Sequence, residues 1–148
     1  MLSEVLLVED SPGDVRLMRE AFREANPSVR LCVAGDGVEA MTFLRRRGNM
    51  IHAPRPDLIL LDLNLPRMDG REVLACIKED DNLKAIPTLV LTTSDAEEDV
   101  VKSYQFQANC YLTKPVQLRA FESLVKNISE FWLSKVKLPQ QEQVLRPS

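Results

Sequence analysis

Leu58-Ile59-Leu60-Leu61-Asp62 is the stretch from which the fold can be read. Four consecutive apolar residues end abruptly in a carboxylate. An unbroken apolar run of this length fits a strand covered on both faces, as in a parallel sheet, rather than a strand with one wet face. Similar runs lie on either side of it. Upstream, Val5-Leu6-Leu7-Val8 ends in Glu9-Asp10, and Val29 to Ala34 ends in Gly35-Asp36-Gly37, which reads as a turn. Downstream, Thr88-Leu89-Val90-Leu91 ends in Thr92-Thr93-Ser94, and Cys110-Tyr111-Leu112 ends at Lys114-Pro115.

Each run is followed by a helical pattern. Ser11-Pro12-Gly13-Asp14 offers a serine cap, a proline at the first helical position and an acid at the third. The helix that follows places Val15, Met18, Phe22 and Ala25 on one face and stops at Asn26-Pro27. A second helix runs from Gly37 to Arg47, with Met41, Phe43 and Leu44 apolar, and a third from Arg71 to Lys78. A fourth is expected from Ala96 to Tyr104, with Ser94 and Glu97, or Asp95 and Glu98, spaced for a capping box. The last runs from Gln117 to Leu133, with Phe121, Leu124, Val125, Ile128 and Trp132 on one face. Strand-then-helix alternation predicts an α/β fold: a five-stranded parallel sheet with right-handed crossovers and helices on both faces. The flavodoxin-like strand order 2-1-3-4-5 places the first and third strands side by side.

Composition agrees with this and narrows the function. The chain of 148 residues is long enough for one domain with a sizeable core, assigned to residues 1–133 with a short tail at 134–148. Its 45% hydrophobic and 28% charged content is that of a globular protein. A net charge of −3 favours neither nucleic acid nor an anionic membrane. Arg45-Arg46-Arg47 reads as the solvated end of a helix. No apolar run approaches the ~18 residues of a membrane span, and Met1-Leu2-Ser3-Glu4 does not open a signal peptide, so a cytoplasmic location is expected. With one histidine, His52, and three scattered cysteines, a zinc site or disulfide framework has no support. Cys32, Cys76 and Cys110 are expected to be reduced, buried small hydrophobes.

In parallel sheets chemistry sits beyond the carboxyl ends of the strands. Those ends carry Glu9 and Asp10, Asp62, Thr92 and Lys114. Three carboxylates within ~4 Å would repel by about 4 kcal/mol per pair at an effective dielectric of ~20. Such a cluster must protonate or bind a cation. Lys114 can neutralise one charge, and a hard divalent ion, Mg²⁺, suits the rest. Asp62 between the Thr92 hydroxyl and the Lys114 ammonium forms a cradle for a phosphoryl group, with Asp62 as the nucleophile that becomes an acyl phosphate. Asn64 reads as structural through its side chain, with a backbone carbonyl able to serve a metal. Tyr111 alone reads as core. There is no GxSxG nucleophile elbow, and Gly35-Asp36-Gly37 lacks the rest of a phosphate-binding glycine loop.

Four segments, LLVEDS (Leu6–Ser11), ILLDLNLPRMDG (Ile59–Gly70), LVLTTS (Leu89–Ser94) and YLTKP (Tyr111–Pro115), resemble the receiver domain of two-component response regulators. The resemblance implies that Asp62 is the phosphoacceptor, Glu9 and Asp10 the metal-binding acidic pair, and Asn64 the carbonyl ligand. Thr92 falls on the switch hydroxyl, Tyr111 on the aromatic switch position, and Lys114 on the lysine whose bond to Pro115 is expected to be cis. It also implies a phosphodonor histidine on a separate sensor kinase and a requirement for Mg²⁺. Thr93 stands where many receivers carry alanine.

A narrower similarity, in Leu61–Lys78, Asn109–Pro115 and Glu130–Pro139, is to the stand-alone regulators that partner cyanobacterial phytochromes. It implies a light-sensing kinase. Output is then expected through changed binding to an unknown downstream protein, on the surface of the 96–104 helix, the fifth strand and the last helix. Phe131-Trp132-Leu133 can either cover the base of the domain or form a homodimer seam. A receiver would be no turnover enzyme, with at most self-phosphorylation and autodephosphorylation. Two rival readings are a phosphohydrolase of the haloacid-dehalogenase kind and a phosphorylation-independent binding module. The first usually has a second acid two residues after its nucleophile, where this chain has Asn64; the second has no need of Asp62, Thr92 and Lys114 together.

Overall fold

The computed structural model describes residues 3–92, 110–115 and 117–135. The expected 96–104 helix, Thr93 and residues 136–148 lie outside the described residues. The elements are β1 (Ser3–Val8), α1 (Pro12–Ala25), β2 (Val29–Ala34), α2 (Gly37–Leu44), β3 (Leu58–Asp62), α3 (Gly70–Glu79), β4 (Thr88–Thr92), β5 (Cys110–Thr113) and α4 (Leu118–Glu130). A short 3₁₀ turn spans Gly48–Met50, and a π turn, Phe131–Lys135, extends α4. The sheet has five strands, all parallel, in the order β2-β1-β3-β4-β5.

β3 lies at the centre and is buried along its whole length. Its side chains alternate between two apolar layers. Leu58 and Leu60 join Val5, Leu7, Leu89 and Leu91 beneath α1 and α4. Ile59 and Leu61 join Leu6, Val8 and Val90 beneath α2 and α3. Both layers are apolar, which is why the run shows no alternation. Each fully buried leucine or isoleucine here contributes about 1.5–3 kcal/mol.

The helix starts follow their cap residues. Ser11 Oγ accepts the Asp14 N–H at 3.3 Å at the start of α1, and Asp36 Oδ1 accepts the Glu39 N–H at 2.7 Å at the start of α2. Met18, Ala21 and Phe22 form the buried face of α1. Ala25 lies on the same stripe but in the last turn, where the helix stops and leaves it exposed. α2 ends earlier than expected, at Leu44. Arg46 takes a left-handed conformation (φ 53°), and the N–H groups of Arg46 and Arg47 close back on Phe43 O and Thr42 O at 3.1 and 3.0 Å. That is a Schellman closure, with arginine in the place glycine usually holds.

Further expectations are corrected. The cysteines are free but half-buried rather than buried. Cys32 and Cys110 sit on the two edge strands, which lack a neighbour on one side; Cys76 sits on α3 and only partly reaches its core layer. No cis peptide bond occurs among the described residues, so the Lys114–Pro115 bond is trans. The tertiary amide before proline tolerates both forms, with trans favoured by about 0.5–1 kcal/mol. At the end of α4, Trp132 and Leu133 pack onto the α1 and α4 layer, whereas Phe131 is 53% exposed and meets Trp132 edge to face, centroids 5.4 Å apart. Two of the three candidate interface residues thus cover the domain's own core. Among the described residues no helix is long and apolar enough to cross a membrane.

Candidate functional site

The register of the central strands builds the site. Val8 of β1 pairs with Leu61 of β3, so Glu9 and Asp62 leave the sheet side by side. Glu9 is 3% exposed and Asp62 6%, whereas Asp10 is exposed. One carboxylate oxygen from each of the three lies within 4.8 Å of the others, so Glu9, Asp10 and Asp62 could hold a cation between them. The expected convergence of these acids is therefore present.

Lys114 follows β5 and reaches back over two strands to the same point. Its buried ammonium donates to Glu9 Oε1 and Oε2 at 2.8 and 2.7 Å and to Asp62 Oδ2 at 3.2 Å. The carboxylates are oriented by backbone groups as well. Glu9 Oε1 accepts the Ser11 N–H at 3.1 Å, and Asp62 Oδ1 accepts the Asn64 N–H at 3.0 Å. Asn64 is exposed, and its peptide N–H is what engages the site.

Gly70 makes this arrangement possible. α3 starts against the end of β3, with the Gly70 N–H on Leu63 O at 2.9 Å. A Cβ at Gly70 would run into the Asp62 carbonyl and stand 2.6 Å from Leu63 Cα. Only a residue without a side chain lets the helix sit so close to the strand that carries Asp62.

Asp14, expected from its spacing only as a helix-start acid, is also a site residue. Its Oδ2 lies 2.7 Å from Lys114 Nζ. No local spacing reports this meeting, since Asp10 lies before the Ser11 cap and outside α1, and Lys114 is 100 residues away in sequence. Thr92 ends β4 opposite Thr113 of β5, as expected of a strand-end residue, but its side chain lies outside the described residues. Tyr111 is half-buried, packed on the layer beneath α2 and α3.

With every carboxyl ionised, Glu9, Asp10, Asp14 and Asp62 against Lys114 would leave three excess negative charges. Burial pushes the Glu9 carboxyl up from 4.5 to about 7; the Lys114 hydrogen bond opposes the rise and neighbouring Asp62 adds to it. Burial by itself would lower the Lys114 ammonium, but the bonds to Asp14 and Glu9 and the charge of Asp62 outweigh it and hold the lysine protonated above its ordinary range. The pit therefore carries a fixed cation, a carboxyl ready to keep or release a proton near neutrality, and a need for further positive charge. Oxygen donors of this kind suit a hard divalent ion.

The family described as the response regulator receiver domain matches residues 5–126. The response regulator Rcp1 of Synechocystis sp. is 50% identical over 135 residues, covering 91% of this chain and 92% of Rcp1. The crystal structure of the phosphorylated cyanobacterial phytochrome response regulator RcpA is similar with a TM-score of 0.90 at 48% identity, over 95% of this chain and 100% of that one. The Mn²⁺-bound form of Rcp1 is similar with a TM-score of 0.87 at 49% identity, over 93% of this chain and 99% of that one.

Proposed function

The chain belongs to the response regulator receiver domain family, and from that premise we propose that it accepts a phosphoryl group on Asp62 from the histidine of a sensor kinase. The observation that carries the proposal is the Asp62 carboxylate itself, buried at a strand end with Oδ1 held by the Asn64 N–H and Oδ2 by Lys114. In the step proposed, an Asp62 oxygen forms the new bond to phosphorus as the phosphohistidine N–P bond breaks. Lys114 turns part of its charge from Glu9 to the incoming phosphoryl oxygens. Glu9, Asp10 and Asp62 hold Mg²⁺, with the Asn64 carbonyl as a further ligand; a divalent ion there supplies neutralisation of the phosphoryl charge.

The likeness to RcpA, a cyanobacterial phytochrome response regulator, supports a phytochrome kinase as the donor, and the likeness to Mn²⁺-bound Rcp1 supports the divalent ion. The protein acts in the cytoplasm as a phosphoacceptor, not as a turnover phosphohydrolase. Output passes through protein contacts: Thr92 moves onto the phosphoryl group, Tyr111 follows, and the surface next to β5 changes its affinity for a downstream protein or a second copy of the chain. The test is phosphotransfer from a panel of sensor kinases, phytochromes included, with and without Mg²⁺. Acid-labile label on the parent protein that is lost in Asp62→Asn is the expected result. Label persisting in Asp62→Asn, or steady turnover of a simple phosphate ester, would overturn the assignment.

A further inference from the structure

A cavity of about 490 Å³ opens at the other end of the sheet from Asp62, between the last turns of α2 and α3 and the segments that enter β3 and β4. Its size lies in the range of small-ligand pockets, roughly 300–1,000 Å³. The run Arg45-Arg46-Arg47 alone would be no more than a solvated helix end. The fold brings a fourth arginine to it, Arg55, from the loop before β3, so that four arginines line one concavity together with the buried Leu44 and Leu83.

These arginines are not consumed by the protein. Among the described residues none of the four makes an ion pair. The two acids in the lining have partners other than these arginines. Asp80 Oδ1 accepts the N–H groups of Asn82 and Leu83 at 2.8 and 3.1 Å, and Asp81 pairs with Lys84 at 3.0 Å. Backbone conformation adds an independent observation. Arg46 sits at φ 53°, in the closing position of α2 where glycine is the comfortable residue. A left-handed non-glycine residue costs roughly 1–2 kcal/mol, and such costs gather at functional positions.

We propose that this cavity binds a compact anion carrying two or more linked phosphate groups, free or as the phosphate chain of a nucleotide. Several forked guanidinium groups suit adjoining phosphates, each able to receive a bidentate contact. Among the described residues the lining holds no aromatic ring on which a base would stack, so the phosphate chain carries the affinity.

The test is calorimetric titration of the full chain with pyrophosphate, inorganic phosphate and a nucleoside diphosphate, in EDTA so that the acidic site at Asp62 binds none of them. Pyrophosphate is expected to bind one to one, at least tenfold tighter than inorganic phosphate. The double variant Arg46→Gly/Arg55→Gln should weaken it by about tenfold or more, the loss of at least one charge-assisted contact. Arg46→Gly alone should melt no lower than the parent, which separates lost binding from lost fold. A nucleoside diphosphate equal to pyrophosphate would place the recognition in the phosphates alone, and one at least tenfold tighter would make a nucleotide the source; either supports the site. Pyrophosphate no tighter than inorganic phosphate, or affinity untouched by the double variant, would overturn it. Phosphorylation of Asp62 in that variant should match the parent, since neither arginine touches the acidic pit.

Discussion

Replacing Lys114 by methionine keeps the volume and removes the cation that, among the described residues, touches Glu9, Asp14 and Asp62. One carboxylate oxygen from each of Glu9, Asp10 and Asp62 lies within 4.8 Å of the others. At an effective dielectric of ~20, two ionised groups at that distance repel by about 3.5 kcal/mol. Breaking a buried ion pair by deleting one partner costs about 3–5 kcal/mol, because the remaining charge is stranded. For a chain of this size that corresponds to a fall of about 10 °C in Tm. The cost depends on pH. Glu9 already holds its proton up to about 7, so at pH 5.5 it is neutral and the variant loses less, only the contacts to Asp14 and Asp62. At pH 8 Glu9 either ionises beside Asp62 with nothing to balance it or keeps a proton that the unfolded chain has released, and in either case the full loss appears. A divalent cation should restore most of the stability at pH 8, since it would replace the missing ammonium. Thermal unfolding of parent and Lys114→Met at both pH values, with Mg²⁺ and with EDTA, measures all of this. A variant equally stable at pH 8 in EDTA, or one whose loss is the same at pH 5.5, would refute the account of the pit as a cluster held together by Lys114.

The raised Glu9 also makes cation binding pH-dependent: affinity for Mg²⁺ should climb about tenfold per unit between pH 5 and 7 and then level off, as titration calorimetry would show. In the same window cation-free stability should fall as pH rises, because the native state keeps a proton that the unfolded chain has released above 4.5. Gly70→Ala forces α3 away from the Asp62 and Leu63 backbone and should cost about 2 kcal/mol in urea unfolding while slowing phosphorylation of Asp62; unchanged values in both would contradict the tight seat. Asp14→Asn removes a partner of Lys114 that is 29% exposed and should lower Tm by only about 3 °C, whereas a drop as large as that of Lys114→Met would mean that Asp14, not Glu9, anchors the lysine.

Much of this was readable in the residues because local signals and the fold agreed. Leu58–Leu61 is apolar on both sides because both sides of β3 are covered, and Ser11-Pro12 starts α1 where capping chemistry places it. The acids, the threonine and the lysine stood out because each closes a strand. Asp14 escaped because its place three residues after Ser11 already had a sufficient local reason, and nothing local reports that β5 delivers an ammonium to it. Arg55 was invisible as part of a cluster for the same cause: its meeting with Arg45–Arg47 depends on where the loop before β3 passes. The early end of α2 turns on a single positive φ at Arg46, a conformation that arginine does not announce. The fate of Phe131, Trp132 and Leu133 turned on a π turn that shifts their faces by a fraction of a helical step.

The chain holds one tryptophan, and it is Trp132, half-covered where α4 gives way to its π turn. Light absorbed selectively by indole is therefore emitted from one known place, on the far side of the sheet from Tyr111. Unlabelled protein thus carries its own optical gauge of how firmly the last helix is seated, readable in stopped flow as phosphoryl donor is added.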